Sequence, residues 1–434
     1  MKRTARDNRE RYTNIAKPVE KVELNEKKPK ARLIATICLG VVGAGFLSYA
    51  FVNFLNKDEG WTQVKANSTS GRNCSEDFVF NYDFSDGSNN KELQNEYTDA
   101  CVKAYELFDA ADESENYKNV AYINAHPNEE IRVDDVLYEA FEKINNSGDR
   151  SIYLGPIYSY YDNVFFCNDD SQLSDYDAHE NAGLADEYAQ VAKYASDSGS
   201  VDIKLLGDDT IELSVSEEYM KYVDENSLDS YVDFYWMKNA FITDYIADTL
   251  MDAGFENGLL ASSDGFVRAF SDIKQTASDD GSFVNDNGYV YKMYNGQGNT
   301  IYGVGSFAYK NAMSIVTYKN YAINDNDSLY YYDTRDGRTL NRYLSLEDGQ
   351  SRAALSEITF MSEDRSCVDL MLSTKGYYIS DTFDENGVKN LKTDGIYSIY
   401  FKDNCAYYNY KDLEFGTLYD KNGIKFDVML TAHT

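Results

Sequence analysis

The stretch YVDFYWMKNAFITDYIADTLMDAGFENGLLASSDG, residues 231–265, decides the fold. Val232 to Phe234 reads as a short strand. From Asn239 to Ala253, Phe241, Tyr245, Ile246, Leu250 and Ala253 recur at helical spacing on one face, and Gly254 marks the stop. Gly258 to Ala261 is then an apolar strand. A strand–helix–strand unit of this kind predicts a mixed α/β domain.

Working outward, the upstream sequence supports the same class. Phe78, Phe80, Tyr82 and Phe84 alternate as a strand does, and Asp86-Gly87 marks a turn before a helix over Asn90 to Ala110. Val120–Ile123 and Glu130–Val133 read as extended, and Asp134 is placed to cap a helix that ends near Ser147-Gly148. Asp175–Tyr194 is helical in spacing, Val201–Leu205 and Thr210–Val215 are extended, and Ser216 is expected to cap a short helix. Beyond Asp280-Gly281 the chain is strand-rich, with Asp286-Asn287-Gly288, Asp348-Gly349, Glu385-Asn386-Gly387 and Lys421-Asn422-Gly423 predicted as hairpin turns.

Charge is distributed unevenly over the 434 residues. The net value is −32, yet residues 1–32 hold eleven basic against five acidic side chains, so everything after Arg32 carries −38. That balance excludes a generic polyanion binder, because nucleic-acid affinity rests on basic groups that displace counterions. Between the two regions, Leu33 to Leu55 is free of charge, and as a helix it would span roughly 35 Å. A cleaved signal peptide would have a far shorter basic leader, and Cys38 is misplaced for lipidation. The expectation is one transmembrane helix over 33–55, with a basic cytoplasmic segment 1–32, a polar tether 56–75 and an exported domain 76–434. Positive charge on the N-terminal side sets that orientation.

Cysteine and histidine limit the chemistry. Cys74, Cys101, Cys167, Cys367 and Cys405 are widely spaced, which allows one or two disulfides in an exported domain but no cysteine framework. Only His126, His179 and His433 could supply imidazole, so any metal would be a hard cation on oxygen ligands. Spacing alone yields no G-x-S-x-G, Walker or H-E-x-x-H motif.

Ordered blocks across the exported part point further. Asn-Glu-Glu-Ile-Arg-Val at 128–133 is followed by Gly155-Pro156-Ile157 and Val232-Asp233-Phe234, then by Asp244 eleven residues after Asp233, in a helix ending Ala253-Gly254-Phe255-Glu256-Asn257. Next come Ile315 to Tyr321, Tyr330 to Gly337, and Asp369 to Ser373. In this order they resemble the FAD:protein FMN transferase (ApbE) family over about residues 76 to 405. That family moves FMN from FAD onto a Thr or Ser of an acceptor protein, with Mg²⁺.

The resemblance implies an ApbE-like fold, FAD and Mg²⁺ as cofactors, and an exported acceptor protein as partner. It implies that Asp369 and Ser373 hold the metal, with Thr374 as a neighbouring substitute, and that Tyr160, Asp233, Asp244, Thr317, Tyr321, Asp333 and Gly337 line the flavin site. Tyr160, Tyr161 and Tyr321 could stack a flavin ring. The family's pattern is also broken. Its His falls at Tyr330, its Lys at Asn239, its paired glycines at Ser262-Ser263-Asp264-Gly265, and the Ser-Gly of its T-S-G-x-Y block at Tyr318-Lys319. Three readings therefore stand: a membrane-anchored flavin transferase, a flavin binder that has lost transfer, and a degenerate fold kept as a surface interaction module.

Overall fold

A computed structural model of the chain describes residues 51–52, 60–69, 71–273, 276–277, 283–284, 288–297, 300–321, 330–402, 405–415, 419–420 and 427–430. Its centre is a nine-stranded sheet whose strands lie side by side in chain order: β1 (Trp61–Val64), β2 (Phe78–Asp83), β3 (Gly258–Ser262), β4 (Phe266–Ala269), β5 (Met313–Lys319), β6 (Glu357–Ser362), β7 (Tyr397–Lys402), β8 (Cys405–Tyr408) and β9 (Asp427–Leu430). Neighbours are antiparallel except β8 and β9. Every residue of β3, β5 and β6 is buried, so polar residues such as Thr317, Lys319, Glu357 and Thr359 lie inside the sheet beside the apolar ones.

Alternate residues of those strands feed two cores. Leu260, Phe266, Val316, Tyr318, Ile358 and Phe360 face the helices, whereas Leu259, Val267, Ile315 and Met361 pack with Tyr289, Tyr291 and Tyr309 of the hairpin Tyr289–Gln297/Thr300–Tyr309. On the helical side lie α1 (Asn90–Leu107), α2 (Val120–Ala125), α3 (Asp135–Ser147), α4 (Gly155–Tyr161), α5 (Ala182–Ser196), α6 (Glu217–Glu225), α7 (Lys238–Asp252), α8 (Cys367–Thr374) and α9 (Glu385–Asn390). A three-stranded sheet of Glu130–Arg132, Thr210–Val215 and Val201–Gly207 completes the mixed α/β architecture.

The helix ends follow local chemistry. Asn89, Asp134 and Ser216 cap α1, α3 and α6 through side-chain acceptors, and Gly148 closes α3 in the left-handed conformation. Helix α5 starts at Ala182, later than expected, because Asn181 caps it and Asp170–Asp175 forms a separate 3-10 turn.

Four expectations are corrected. Val120–Ile123 is helical in α2, where the buried Asn119 caps the first turn. Val232–Phe234 is not a strand: Asn124 takes both the N–H and the C=O of Val232, at 2.9 and 2.8 Å, so no neighbouring strand is needed. Glu385-Asn386-Gly387 opens α9 behind the Asp384 cap rather than turning a hairpin. Within the segment 56–75, expected as a polar tether, Trp61–Val64 pairs with β2 as the sheet's edge strand.

Residues 1–32 and most of the apolar run 33–55 lie outside the described residues. Of that run, Phe51–Val52 is described as a strand paired with Tyr289–Val290. Among the described residues no helix is long and apolar enough to cross a membrane. The turns at Asp286-Asn287 and Lys421-Asn422-Gly423 also lie outside the described residues.

Candidate functional site

The segments singled out by the resemblance converge where the 231–237 segment, the β3–β4 turn, the end of β5, Arg342–Tyr343 and α8 meet. At the centre is a buried polar cluster. Asp264 pairs with Arg342 at 2.6 Å, accepts from Asn239 Nδ2 at 3.0 Å, and takes the Ser262 hydroxyl at 2.5 Å. The Arg342 guanidinium also lies 4.6 Å from the Tyr330 ring centroid. Two atoms of this cluster, Arg342 Nε and Asn239 Oδ1, are buried without a hydrogen-bond partner.

Electrostatics here follow burial. Desolvation raises the Asp77 carboxyl, which Lys238 partly offsets, and pushes Asp233 up to about 6. The Asp233 carboxyl accepts the Tyr235 amide at 2.7 Å, as part of a tight turn in which Tyr235 has φ +43. Burial likewise raises the Tyr330 phenol further above its usual range, although Arg342 opposes the shift. Tyr330 is therefore no proton acceptor at neutral pH.

Beside the cluster, four aromatic rings fill the space between β5 and α8. Tyr318 stacks on Tyr378 at 5.1 Å, and Trp236 and Tyr343 close on it edge to face at 6.2 and 5.8 Å. All four residues are fully enclosed. The Tyr318 hydroxyl donates to the Met371 carbonyl at 3.2 Å and meets the Thr374 hydroxyl at the same distance. A phenol stands where the resemblance places a serine, and it bridges β5 to α8.

The metal pair does not enter this crevice. Asp369 and Ser373 share the exposed face of α8, and the Ser373 hydroxyl donates to the Asp369 backbone carbonyl at 2.7 Å. The Asp369 carboxylate instead has Lys143 Nζ at 3.9 Å. Their neighbours Leu370 and Thr374 are the i, i+4 pair turned inward, about 100° around the helix. An inward Leu cannot ligate a hard cation. The exposed pair therefore does not fit an inward-facing Mg²⁺ site, and among the described residues the space between β5 and α8 is filled by the four rings.

The other named residues have structural partners. Asp244 caps α8 by accepting the Cys367 and Val368 amides at 2.9 and 2.8 Å, and it pairs with Arg268 at 2.8 Å. Thr317 bonds Tyr291 and Thr359 inside the second core. Tyr321 is buried on Glu357. Asp333 accepts the Thr339 hydroxyl at 2.7 Å within the hairpin Tyr331–Asp333/Thr339–Asn341, and Gly337 turns that hairpin at φ +91. Tyr160 is exposed and donates to the Asp175 carbonyl, whereas Tyr161 is buried and donates to that of Asn341. The three tyrosines expected to stack a flavin thus lie in different environments.

Sequence reasoning missed Arg342, Trp236, Tyr343 and Tyr378. Nothing local singles them out, whereas Asn239, Ser262, Asp264, Tyr318 and Tyr330 stand at departures from the family's pattern. Among the described residues one group could converge on a metal, His179, Glu180 and Asp336, all exposed. Arg338 already forks onto both carboxylates, at 2.6 and 2.8 Å, and onto Asp177 at 2.8 Å.

Comparison with known proteins agrees on architecture. No protein-family model matches the chain, and no curated protein matches it. Among solved structures, the chain has the fold of ApbE proteins. It is similar to the ApbE protein of Thermotoga maritima, with 13% identity, 78% of this chain and 93% of that one covered, and a TM-score of 0.51. It is also similar to the flavin transferase ApbE of Vibrio cholerae, with 13% identity, coverage of 84% and 98%, and a TM-score of 0.50.

Proposed function

We propose that this chain is a membrane-anchored, exported protein of ApbE fold that has exchanged flavin transfer for binding through its surface. The observation that carries this reading is Tyr318, whose ring and hydroxyl close the space between β5 and α8 with the chain's own atoms. Supporting it, Asp369 and Ser373 face solvent, and the family's His and Lys positions hold Tyr330 and Asn239. Fold by itself does not carry activity. The anchor in this reading is the apolar run from Leu33 to about Ala50, and the −38 charge beyond Arg32 selects basic partners over polyanions.

The test is a titration of the full chain in detergent with FAD, with and without Mg²⁺, followed by flavin fluorescence. The expected result is binding no tighter than roughly 1 mM. Micromolar, Mg²⁺-sensitive binding, or flavin appearing covalently on an exported acceptor, would overturn the proposal.

One observation favours a second reading, a flavin nucleotide binder without transfer: the unpartnered Arg342 Nε and Asn239 Oδ1 in the Asp264 cluster. In that case FAD binding would be insensitive to Mg²⁺ and lost in Arg342→Met.

A further inference from the structure

The chain between β1 and β2 lies along helix α1, held by a ladder of polar contacts. Gln94 donates to the Lys65 carbonyl at 2.8 Å, and the Asn67 amide donates to Thr98 at 3.0 Å. At the end of this ladder the Cys74 amide donates to the Cys101 carbonyl at 3.3 Å, and Cys74 Sγ is 3.3 Å from the same oxygen. Both cysteines are buried. A backbone contact of this length keeps the two Cα atoms within roughly 7 Å, the reach of a disulfide.

We infer that Cys74 and Cys101 are a disulfide site that, in the exported protein, locks the incoming chain onto α1. The inference rests on the export proposed above, since a reducing compartment would keep both thiols. The oxidant is the disulfide of an exported thiol carrier or of oxidised glutathione. A thiolate of the pair attacks it, and one carrier thiol leaves. The second thiol of the pair then displaces the other carrier half, so one S–S bond forms as one is reduced, and both protons end on the released carrier thiols. The neighbouring Cys101 and, after it, burial raise the Cys74 thiol, so attack requires the pair to be exposed or still folding.

The test uses the full chain in two arms. In one, cells are quenched in acid, free thiols are alkylated, and the peptides are mapped by mass spectrometry. In the other, purified chain in detergent is equilibrated with oxidised glutathione before the same treatment. Linkage of the Cys74 and Cys101 peptides in both arms is expected, with a melting temperature about 5 °C above that of the reduced protein. The Cys74→Ser/Cys101→Ser double variant should melt identically with and without reductant. Linkage only after oxidation in vitro would keep the pair and overturn the export reading. Both cysteines alkylated in both arms, or either joined to a different cysteine, would overturn the pairing.

Discussion

Replacing Tyr318 with serine removes a ring enclosed by Trp236, Tyr343 and Tyr378 and restores the smaller side chain of the family block. Truncating a buried aromatic costs about 3–5 kcal/mol, because the lost transfer energy adds to the cavity left behind. The hydroxyl adds a net of about 1 kcal/mol through the Met371 carbonyl it satisfies. Tyr318→Phe keeps the ring and loses only that second contribution, so its cost should stay near 1–2 kcal/mol. Urea unfolding of both variants beside the parent protein, followed by tryptophan fluorescence and by circular dichroism, measures the two costs. If ring packing closes the crevice, Tyr318→Ser is at least twice as costly as Tyr318→Phe. Equal costs, or a serine variant within about 1 kcal/mol of the parent, would refute the reasoning, since a side chain standing in an open ligand slot has little packing to lose.

Three further tests probe the groups around that plug. Arg342→Met should cost about 3–5 kcal/mol by leaving the Asp264 charge buried and unpaired, and the double variant with Asp264→Leu should recover most of it; a single-variant cost below about 1 kcal/mol would deny the pair its buried character. Asp233 holds its proton up to about pH 6 when folded, against 3.8 as the ordinary value, so its contribution to stability is full below pH 3.8 and is lost as pH rises through 6. Asp233→Asn should therefore gain about 2–3 kcal/mol at pH 7 and nothing at pH 3.8, as read by urea midpoints across that range; parallel curves for the two proteins would contradict the shift. Asp369→Ala should change stability by less than about 0.5 kcal/mol, and millimolar Mg²⁺ should leave the melting temperature of either protein unmoved; a Mg²⁺-dependent rise that the variant abolishes would restore the metal site.

What could be read from the sequence was what local chemistry determines. The period-two run Phe78–Tyr82, the caps Asp134 and Ser216, and the stops at Gly148 and Gly254 each depend on neighbours within a few residues, and each lies where expected. One failure involves a distant partner, and another an adjacent cap. Val232 reads as strand by its side chain, yet its backbone is satisfied from 108 residues away by Asn124. Val120–Ile123 has strand-forming residues, and Asn119 makes them a helix.

The site was harder still. A one-residue uncertainty in the α8 register rotates a side chain by about 100°, which separates the exposed Asp369 and Ser373 from the inward Leu370 and Thr374. Composition also concealed the plug, because a chain with 39 tyrosines gives no sign which of them fill a crevice.

The edge strand β1 fixes how freely the domain can move in the proposed topology. With the apolar run ending near Ala50, the ten residues before Trp61 reach at most about 35 Å when fully extended, and pairing of Phe51–Val52 with Tyr289–Val290 takes up even that slack. The domain would then ride the bilayer surface as a fixed outgrowth, not a ball on a leash. Its partners would have to come to it by lateral diffusion or lie within one domain's height of the headgroups, and the Tyr289–Tyr309 hairpin would be the part nearest the lipid.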